Sequence, residues 1–194
     1  MLGGSFASIL AAGTFCPSIA AAGERETNSD IVATARRVLA QNAAQIAKTD
    51  VVGVVNYSAP SARSRFHLVD MVSARVSSLL VSHGRGSDPQ HTGYLQHFSN
   101  DIGSKASSCG AYSTGAHYVG KHGRSMRLAG LDPENSNAMA RAIVVHGAWY
   151  VGDEMLNKYG KLGRSEGCFA LSEADLDEVL ERLGPGRLLF AGKF

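Results

Sequence analysis

The apolar residues of this chain fall mostly in short β-branched runs, and only two stretches have the three-to-four-residue spacing of a helix. The first stretch covers residues 30–48, where Ser29 or Asp30 is placed to cap the helix. Its apolar positions are Ile31, Ala35, Val38, Leu39, Ala43 and Ile46. We therefore predict an N-terminal helix that packs against the core.

The second helical stretch covers residues 172–183 and carries one apolar face, made of Leu176, Val179, Leu180 and Leu183. Ser172 and Asp175 resemble a capping box at its beginning. Gly184-Pro185-Gly186 predicts its end.

Short apolar runs predict the strands. Three runs separated by turn residues favour an antiparallel meander over residues 51–57, 65–71 and 75–82. Further strands are predicted at residues 110–114, 125–129, 142–145 and 187–191. Residues 83–109 have little periodicity, so we predict a long surface loop, a kind of segment that often carries function. The pattern as a whole indicates a mainly β, α+β fold.

Composition sets the size of the domain and narrows the function. The chain has 194 residues, 44% of them hydrophobic, which fits one domain with a substantial core. Its formal charge of +2 is too small to indicate a nucleic-acid partner. No acidic residue lies between Asp101 and Asp132, a segment that contains Lys105, Lys121, Arg124 and Arg127. This segment is either a solvated face or a surface that receives an anionic group.

Residues 1–22 are small and mostly apolar, and residues 18–22 offer cleavage sites of the kind that signal peptidase accepts. Although the positive n-region is absent, we predict an export signal and a location in the periplasm or cell envelope. Glycines, Pro17 and the short length argue against a membrane span, and no other segment of the chain has the character to cross a bilayer.

Cysteine use points to one functional thiol. Cys16 would leave with the signal, so the mature chain would retain only Cys109 and Cys168, too few for a disulfide scaffold. We interpret Cys109 as a small buried hydrophobe.

Cys168 and His146 are the candidate catalytic pair. His146 ends the apolar run before a loop, and Cys168 follows Gly167 in a turn from which a thiol and its own N–H can both face a substrate. An imidazole beside a thiol is the arrangement for cysteine acyl transfer. The competing interpretation is a buried structural cysteine with a core histidine.

Six motifs occur in order along the chain: SHGRGSD from Ser82, HFSN from His97, GSKASSCGAY from Gly103, YVGKHGRSMRLAGLD from Tyr118, RAIVVHGAWY from Arg141 and GRSEGCFAL from Gly163. Together they resemble the L,D-transpeptidase catalytic domain of the YkuD type, in particular its murein L,D-transpeptidase branch. The resemblance runs from about Val51 to the C-terminus.

This resemblance implies a β-sandwich or barrel with one helix before it and one after the catalytic cysteine. The domain would span residues 51–194 and follow a helical segment over residues 23–50. Cys168 matches the nucleophile, His146 the base and Gly147 the residue whose carbonyl holds the imidazole. The implied activity is cross-linking of peptidoglycan stem peptides through an acyl-enzyme.

The remaining site residues are expectations of the same kind. The N–H groups of Gly167 and Cys168, with the Tyr118 hydroxyl, are expected to stabilise the oxyanion. Substrate contacts are expected from Arg164, Ser165, His122, Arg124 and Arg127. We predict no cofactor and no metal, because the histidines at positions 83, 91, 97 and 122 match no HExxH or CxxC spacing.

Two positions depart from the wider family. Glu166 stands where a histidine is usual, and Ala170 stands where asparagine or arginine is favoured. A carboxylate near sulfur would raise the pKa of the thiol, so we expect Glu166 to point away from it, toward Arg164 or Lys161.

Alternative functions remain open at this point. If water replaces the acceptor amine, the same site is an L,D-carboxypeptidase or amide hydrolase on these stems. A non-catalytic wall-binding protein is the rival of a different class, suggested by Glu166 and Ala170. The sequence does not indicate the oligomeric state.

Overall fold

Eight strands hydrogen-bond into one mixed sheet in the computed structural model, which describes residues 27–194. The strands are β1 Val51–Asn56, β2 Phe66–Asp70, β3 Val76–Leu79, β4 Gly110–Gly120, β5 Gly123–Gly130, β6 Val144–Gly147, β7 Phe169–Leu171 and β8 Leu188–Gly192. Their order across the sheet is β3-β2-β1-β8-β4-β5-β6-β7. The predicted signal peptide, residues 1–22, lies outside the described residues.

The C-terminal strand β8 joins two halves of this sheet. The predicted meander is confirmed, because β1, β2 and β3 pair antiparallel in one half. The other half contains β4, β5, β6 and β7. Strand β8 lies between the halves, parallel to β1 and antiparallel to β4. The sheet is therefore continuous only through its last strand.

Three α-helices are described: α1 Asn28–Gln41, α2 Asp153–Tyr159 and α3 Leu176–Arg182. The first begins earlier than predicted, and Thr27 rather than Ser29 or Asp30 is its N-cap. Asp30 completes a capping box by accepting from the Thr27 N–H at 3.0 Å. Before α3, Ser172 and Asp175 bond to one another as the sequence suggested.

The core has two layers, one on each side of the sheet. Helix α1 packs on one side, against alternate residues of β1 such as Val52 and Val54. The other side carries the larger cluster, in which Phe66 of β2 and Phe169 of β7 share one core although their strands lie in opposite halves of the sheet. The sheet therefore encloses this core, as the predicted sandwich or barrel requires.

Three features were missed from sequence: helix α2, strand β7 and the length of the β4–β5 hairpin. Helix α2 has no buried residue, so no apolar stripe marks it. Strand β7 is only three residues long. The outer part of the hairpin, from Ala116 onward, is largely exposed and lacks the alternation of a half-buried strand.

A buried ionic network fixes the loop over residues 83–109. Arg65 is fully buried, and its Nη2 lies 2.8 Å from Nδ1 of His83. The other ring nitrogen of His83 lies 3.2 Å from Oδ2 of the buried Asp88. Because a guanidinium group can only donate, Nδ1 accepts and Nε2–H donates to the carboxylate. His83 is thus a neutral bridge between two buried charges.

Burial and hydrogen bonding keep His83 neutral and Asp88 charged. Burial, with the charge of Arg65 next, lowers the pKa of His83 to about 4. Burial alone would raise the pKa of Asp88. Hydrogen bonds from Thr92, Gly93 and His83 outweigh it and bring that pKa to about 2. The network therefore keeps its charge pattern across the neutral range.

Acid is expected to destabilise the protein through His83. The unfolded histidine, with an ordinary pKa near 6.5, binds a proton between pH 6.5 and 4 that the folded one does not, so the free energy of unfolding falls as pH drops through this window. Protonation of His83 alone is expected to lower the free energy of unfolding by about 3 kcal/mol. Urea unfolding of wild type and His83→Gln at several pH values measures it. Glutamine keeps one acceptor and one donor, so an equally steep pH dependence in this variant would contradict the assignment.

Candidate active site

Four strands align one row of residues on the same face of the sheet. Tyr118 of β4 pairs with Ser125 of β5, which pairs with His146 of β6, which in turn pairs with Ala170 of β7. Directly paired residues project from the same side of a sheet. Cys168 precedes Ala170 by two residues, so alternation places its thiol on the side of His146.

The thiol of Cys168 lies against the chain that leads into β6. Its Sγ is 3.6 Å from the carbonyl oxygen of Ala142, to which the S–H donates. The Val144 N–H is directed at the same sulfur and lowers its pKa. Ala142 has a φ of 52°, a left-handed conformation that turns its carbonyl toward the thiol. The backbone of residues 142–144 therefore holds the sulfur in place.

His146 is buried, and its ring is fixed by the main chain. The Nδ1 atom lies 2.8 Å from the carbonyl oxygen of Gly147. Because a carbonyl can only accept, Nδ1 carries the proton and Nε2 is the basic nitrogen. Burial lowers the pKa of His146 despite this hydrogen bond, and His122 and Lys121 lower it further. The ring is therefore a neutral base at neutral pH.

The tip of the β4–β5 hairpin covers this base. The His122 ring stacks on the His146 ring, with centroids 4.3 Å apart and planes 20° from parallel. Arg127 lies 4.4 Å from the centroid of the Tyr118 ring within the hairpin. Arg124 pairs with Asp177 at the beginning of α3. These contacts anchor the hairpin above the site.

The expected substrate-binding arginines already have partners within the protein. Arg124 pairs with Asp177 of α3, and Arg127 lies over the Tyr118 ring of the hairpin. The Arg164 guanidinium donates to the carbonyls of Asp88 and Pro89. Of the five expected substrate residues, His122 is the one stacked on the base. Arg164 instead holds the loop over residues 83–109 against the turn before Cys168.

Hydrogen bonds within the turn before Cys168 occupy one of the two backbone N–H groups that were expected to stabilise an oxyanion. Ser165 is buried, accepts from the Gly167 N–H at 3.1 Å and donates to the Cys168 carbonyl at 2.7 Å. Gly167 has a φ of 114°, and a Cβ there would lie 2.6 Å from the Ala106 carbonyl oxygen. Because the Gly167 N–H is engaged, the N–H of Cys168 is the turn donor better placed to meet an oxyanion.

Glu166 does not point toward Arg164 or Lys161, and this expectation was wrong. Its carboxylate pairs with Arg85 at 2.5 Å and lies 3.5 Å from the Lys105 ammonium. The reason is a bridge between Gly84 and Ser165, which brings the loop over residues 83–109 alongside the turn. Sequence analysis had no means of pairing these distant segments.

Sequence analysis also missed Arg141 and Tyr150, the first and last residues of the RAIVVHGAWY motif. The Arg141 guanidinium donates to the carbonyls of Ser99 and Ala106, and its charge lowers the pKa of Cys168. Burial and the charge of Cys168 raise the pKa of Tyr150 to about 12, so its hydroxyl stays protonated. Their place in the motif was the available clue.

The net effect on Cys168 is a raised pKa, because burial outweighs the Val144 N–H and the charges of Lys121 and Arg141. Glu166 raises it further. Cys168 therefore rests as a thiol and His146 as a neutral imidazole on the same face of the sheet, and no thiolate–imidazolium pair is preformed. Any reaction in which this sulfur acts as a nucleophile requires that the thiol first lose its proton.

The pH dependence of Cys168 alkylation is expected to show this state. The iodoacetamide reaction rate, followed by peptide mass spectrometry, should keep rising above pH 9, since the ordinary thiol pKa of 9.0 is raised. Lys121→Gln should move the midpoint up and Glu166→Gln should move it down, because the two charges act in opposite directions. A midpoint below pH 7 in the wild type would contradict this description.

Three further observations concern the described residues alone. Across residues 27–194, no three His, Cys, Asp or Glu side chains come together in a way that could hold a metal ion. None of the helices in this range is long and apolar enough to span a bilayer. No disulfide joins the two cysteines in it, of which Cys109 is buried and Cys168 half-buried.

The site thus presents a thiol and an oriented imidazole on one face of a β-sheet. The family model of the L,D-transpeptidase catalytic domain, YkuD_2, matches residues 24–191. The chain therefore belongs to the L,D-transpeptidase catalytic-domain family. No curated protein matches it significantly.

Solved structures resemble the chain remotely. An L,D-transpeptidase from Mycobacterium smegmatis is 13% identical with a TM-score of 0.45, over 73% of this chain and 58% of that one. L,D-transpeptidase 3 from Mycobacterium tuberculosis is 16% identical with a TM-score of 0.42, over 74% and 61%. The helical cell shape determining protein Pgp2 from Campylobacter jejuni, as a K307A mutant, is 12% identical with a TM-score of 0.46, over 74% and 47%.

In each case the match covers less than two thirds of the solved chain. The family assignment rests on the match to the family model.

Proposed function

We propose that this protein is an exported peptidoglycan L,D-transpeptidase with Cys168 as nucleophile and His146 as base. The observation that carries the proposal is the fixed imidazole. Gly147 holds Nδ1–H of His146 at 2.8 Å and leaves Nε2 to take a proton on the sheet face where the thiol lies. Family membership supplies the substrate class, the stem peptides of the cell wall.

In the first half-reaction Nε2 of His146 accepts the thiol proton while sulfur attacks a carbonyl carbon. That carbonyl belongs to the L-centre of the third, diamino-acid residue of a donor tetrapeptide. The developing oxyanion accepts from the Cys168 N–H, with the Tyr118 hydroxyl as a further donor. One such donor is typically worth about 3 kcal/mol. The imidazolium then protonates the terminal D-alanine nitrogen, the C–N bond breaks and a thioester remains.

In the second half-reaction the side-chain amine of another stem attacks the thioester carbonyl. Nε2 of His146 takes a proton from this amine, and the C–S bond breaks as the new amide forms. The thiolate recovers its proton from the imidazolium, so the enzyme is regenerated. Water in place of the amine would release a tripeptide, which is the carboxypeptidase outcome.

His122 and Arg141 would assist without forming bonds to the reacting carbon. The His122 ring, stacked at 4.3 Å, covers one face of the base and limits its contact with water. Arg141 stabilises negative charge at sulfur. The expected second histidine is replaced by Glu166, so the route needs only one imidazole for proton transfer.

The test is to incubate the full chain with disaccharide-tripeptide, -tetrapeptide and -pentapeptide, separately and in pairs, and to identify products by mass spectrometry. A dimer that has lost D-alanine supports transfer, and tripeptide alone supports hydrolysis. If every stem remains unchanged and no carbapenem adduct forms on Cys168, the enzyme proposal is wrong and a wall-binding role gains support.

A further inference from the structure

Beside the active site lies an open groove of about 510 Å³ that the proposed chemistry does not use. One wall is helix α2 with the segment before it, and the other is the turn at His91. Trp149 and Tyr159 line it together with Glu154, Lys158 and Lys161. The groove thus combines aromatic rings with charged side chains of both signs.

Two aromatic rings in this groove are unusually exposed. Trp149 is 75% exposed and Tyr159 is 52% exposed. The indole is nevertheless braced, because its centroid lies 5.8 Å from that of Tyr150 in an edge-to-face contact. An aromatic ring left in water but held by a neighbour offers a flat, preorganised apolar surface at low entropic cost.

The polar groups around these rings suit a neutral ligand with many hydroxyl and amide groups. Glu154 supplies acceptors, Lys158 supplies donors from over one face of the Tyr159 ring at 5.2 Å, and charges of both signs line the groove. His91 donates Nε2–H to the Leu162 carbonyl at 2.8 Å, which leaves its Nδ1 as an acceptor. A strongly charged ligand would be favoured by groups of one sign. A pyranose ring, with C–H groups on its faces and hydroxyls at its edge, matches this mixture.

The groove lies within the reach of a stem peptide from the proposed catalytic pair. Trp149 follows His146 by three residues, so their Cα atoms are at most about 11 Å apart. Three extended residues of a stem peptide also cover about 10 Å. A stem whose third carbonyl meets Cys168 is therefore long enough for its sugar to reach the indole.

We propose that this groove is a saccharide subsite, in which Trp149 and Tyr159 stack on a sugar ring of the glycan strand that carries the donor stem. The proposal extends the proposed function from the stem peptide to its glycan. It rests on that function only for the choice of saccharide, since the groove itself is a property of the fold.

Fluorescence tests the subsite without any need for catalysis. Trp149 is the only tryptophan of the chain, so the emission reports on this position alone. Titration of the full chain with an oligomer of β-1,4-linked N-acetylglucosamine should shift or quench the emission, and free tetrapeptide should leave it unchanged. Tyr159→Ala should weaken the saccharide response. No response to saccharide, or a response only to lipid vesicles, would overturn the proposal.

Kinetics separate this subsite from the catalytic proposal. Trp149→Ala is expected to raise KM for disaccharide-tetrapeptide about ten-fold, with little change for free tetrapeptide. Trp149→Phe should retain part of the affinity. Tyr94→Ala is the control, since Tyr94 is 54% exposed but lies outside the groove lining. Equal loss with both substrates would overturn the subsite. If the wild type turns over neither substrate, the fluorescence titration still decides whether the groove binds saccharide.

Discussion

Replacing Cys168 by alanine is expected to abolish turnover of stem peptides, with a loss of at least about 10⁴-fold in kcat. The thiol forms the proposed acyl-enzyme, so its loss leaves the imidazole of His146 without the sulfur from which it takes a proton. The measurement is the rate of D-alanine release from disaccharide-tetrapeptide, together with the mass of the protein after exposure to a carbapenem.

The matched control is Cys109→Ala. Cys109 is the other cysteine of the described residues and is buried, so its loss should leave turnover and the carbapenem adduct intact. Full activity of Cys168→Ala would show that the assignment of the nucleophile is wrong. His146→Gln should cost roughly 10²- to 10⁴-fold, as expected for a general base.

The second large effect is expected in stability. Asp88→Ala should lower the free energy of unfolding by about 3–5 kcal/mol, because it leaves the buried Arg65 charge without its counter-charge. It also removes the acceptor of the Thr92 and Gly93 N–H groups. Urea unfolding at pH 7 measures the loss. Activity should fall as well, since the His83 carbonyl accepts from the Ser165 N–H in the catalytic turn.

Asp177→Ala provides the comparison. This carboxylate also pairs with an arginine, Arg124, but its side chain is 71% exposed. Surface ion pairs contribute little to stability. If Asp88→Ala is no more destabilising than Asp177→Ala, the buried network does not have the role described above.

Local pattern was sufficient for much of the fold. The first strand was predicted over residues 51–57 and observed over Val51–Asn56, because β-branched residues with two buried faces leave little ambiguity. Helix α2 was missed because none of its seven residues is buried. Sequence periodicity reports on burial, so an element that packs no apolar face leaves no trace in it.

The sequence predicted those residues of the site that belong to a recognised motif. Cys168 and His146 were expected from the sequence, and the structure places them on one face of the sheet. The partners of Glu166 were not predicted, because Arg85 approaches it only through the bridge between Gly84 and Ser165. The stacking of His122 on His146 likewise depends on the path of a hairpin, which no local pattern specifies.

The central position of β8 has a consequence for how the molecule assembles. Residues 188–192 form the last of the eight strands in chain order, yet they form the ladders that connect β1 to β4. Until β8 pairs, no ladder among the described strands joins the two halves of the sheet. Pairing strands this far apart in sequence is slow, because a large loop must close first. The two halves of the sheet are therefore expected to join in one late step of folding, when β8 pairs with both.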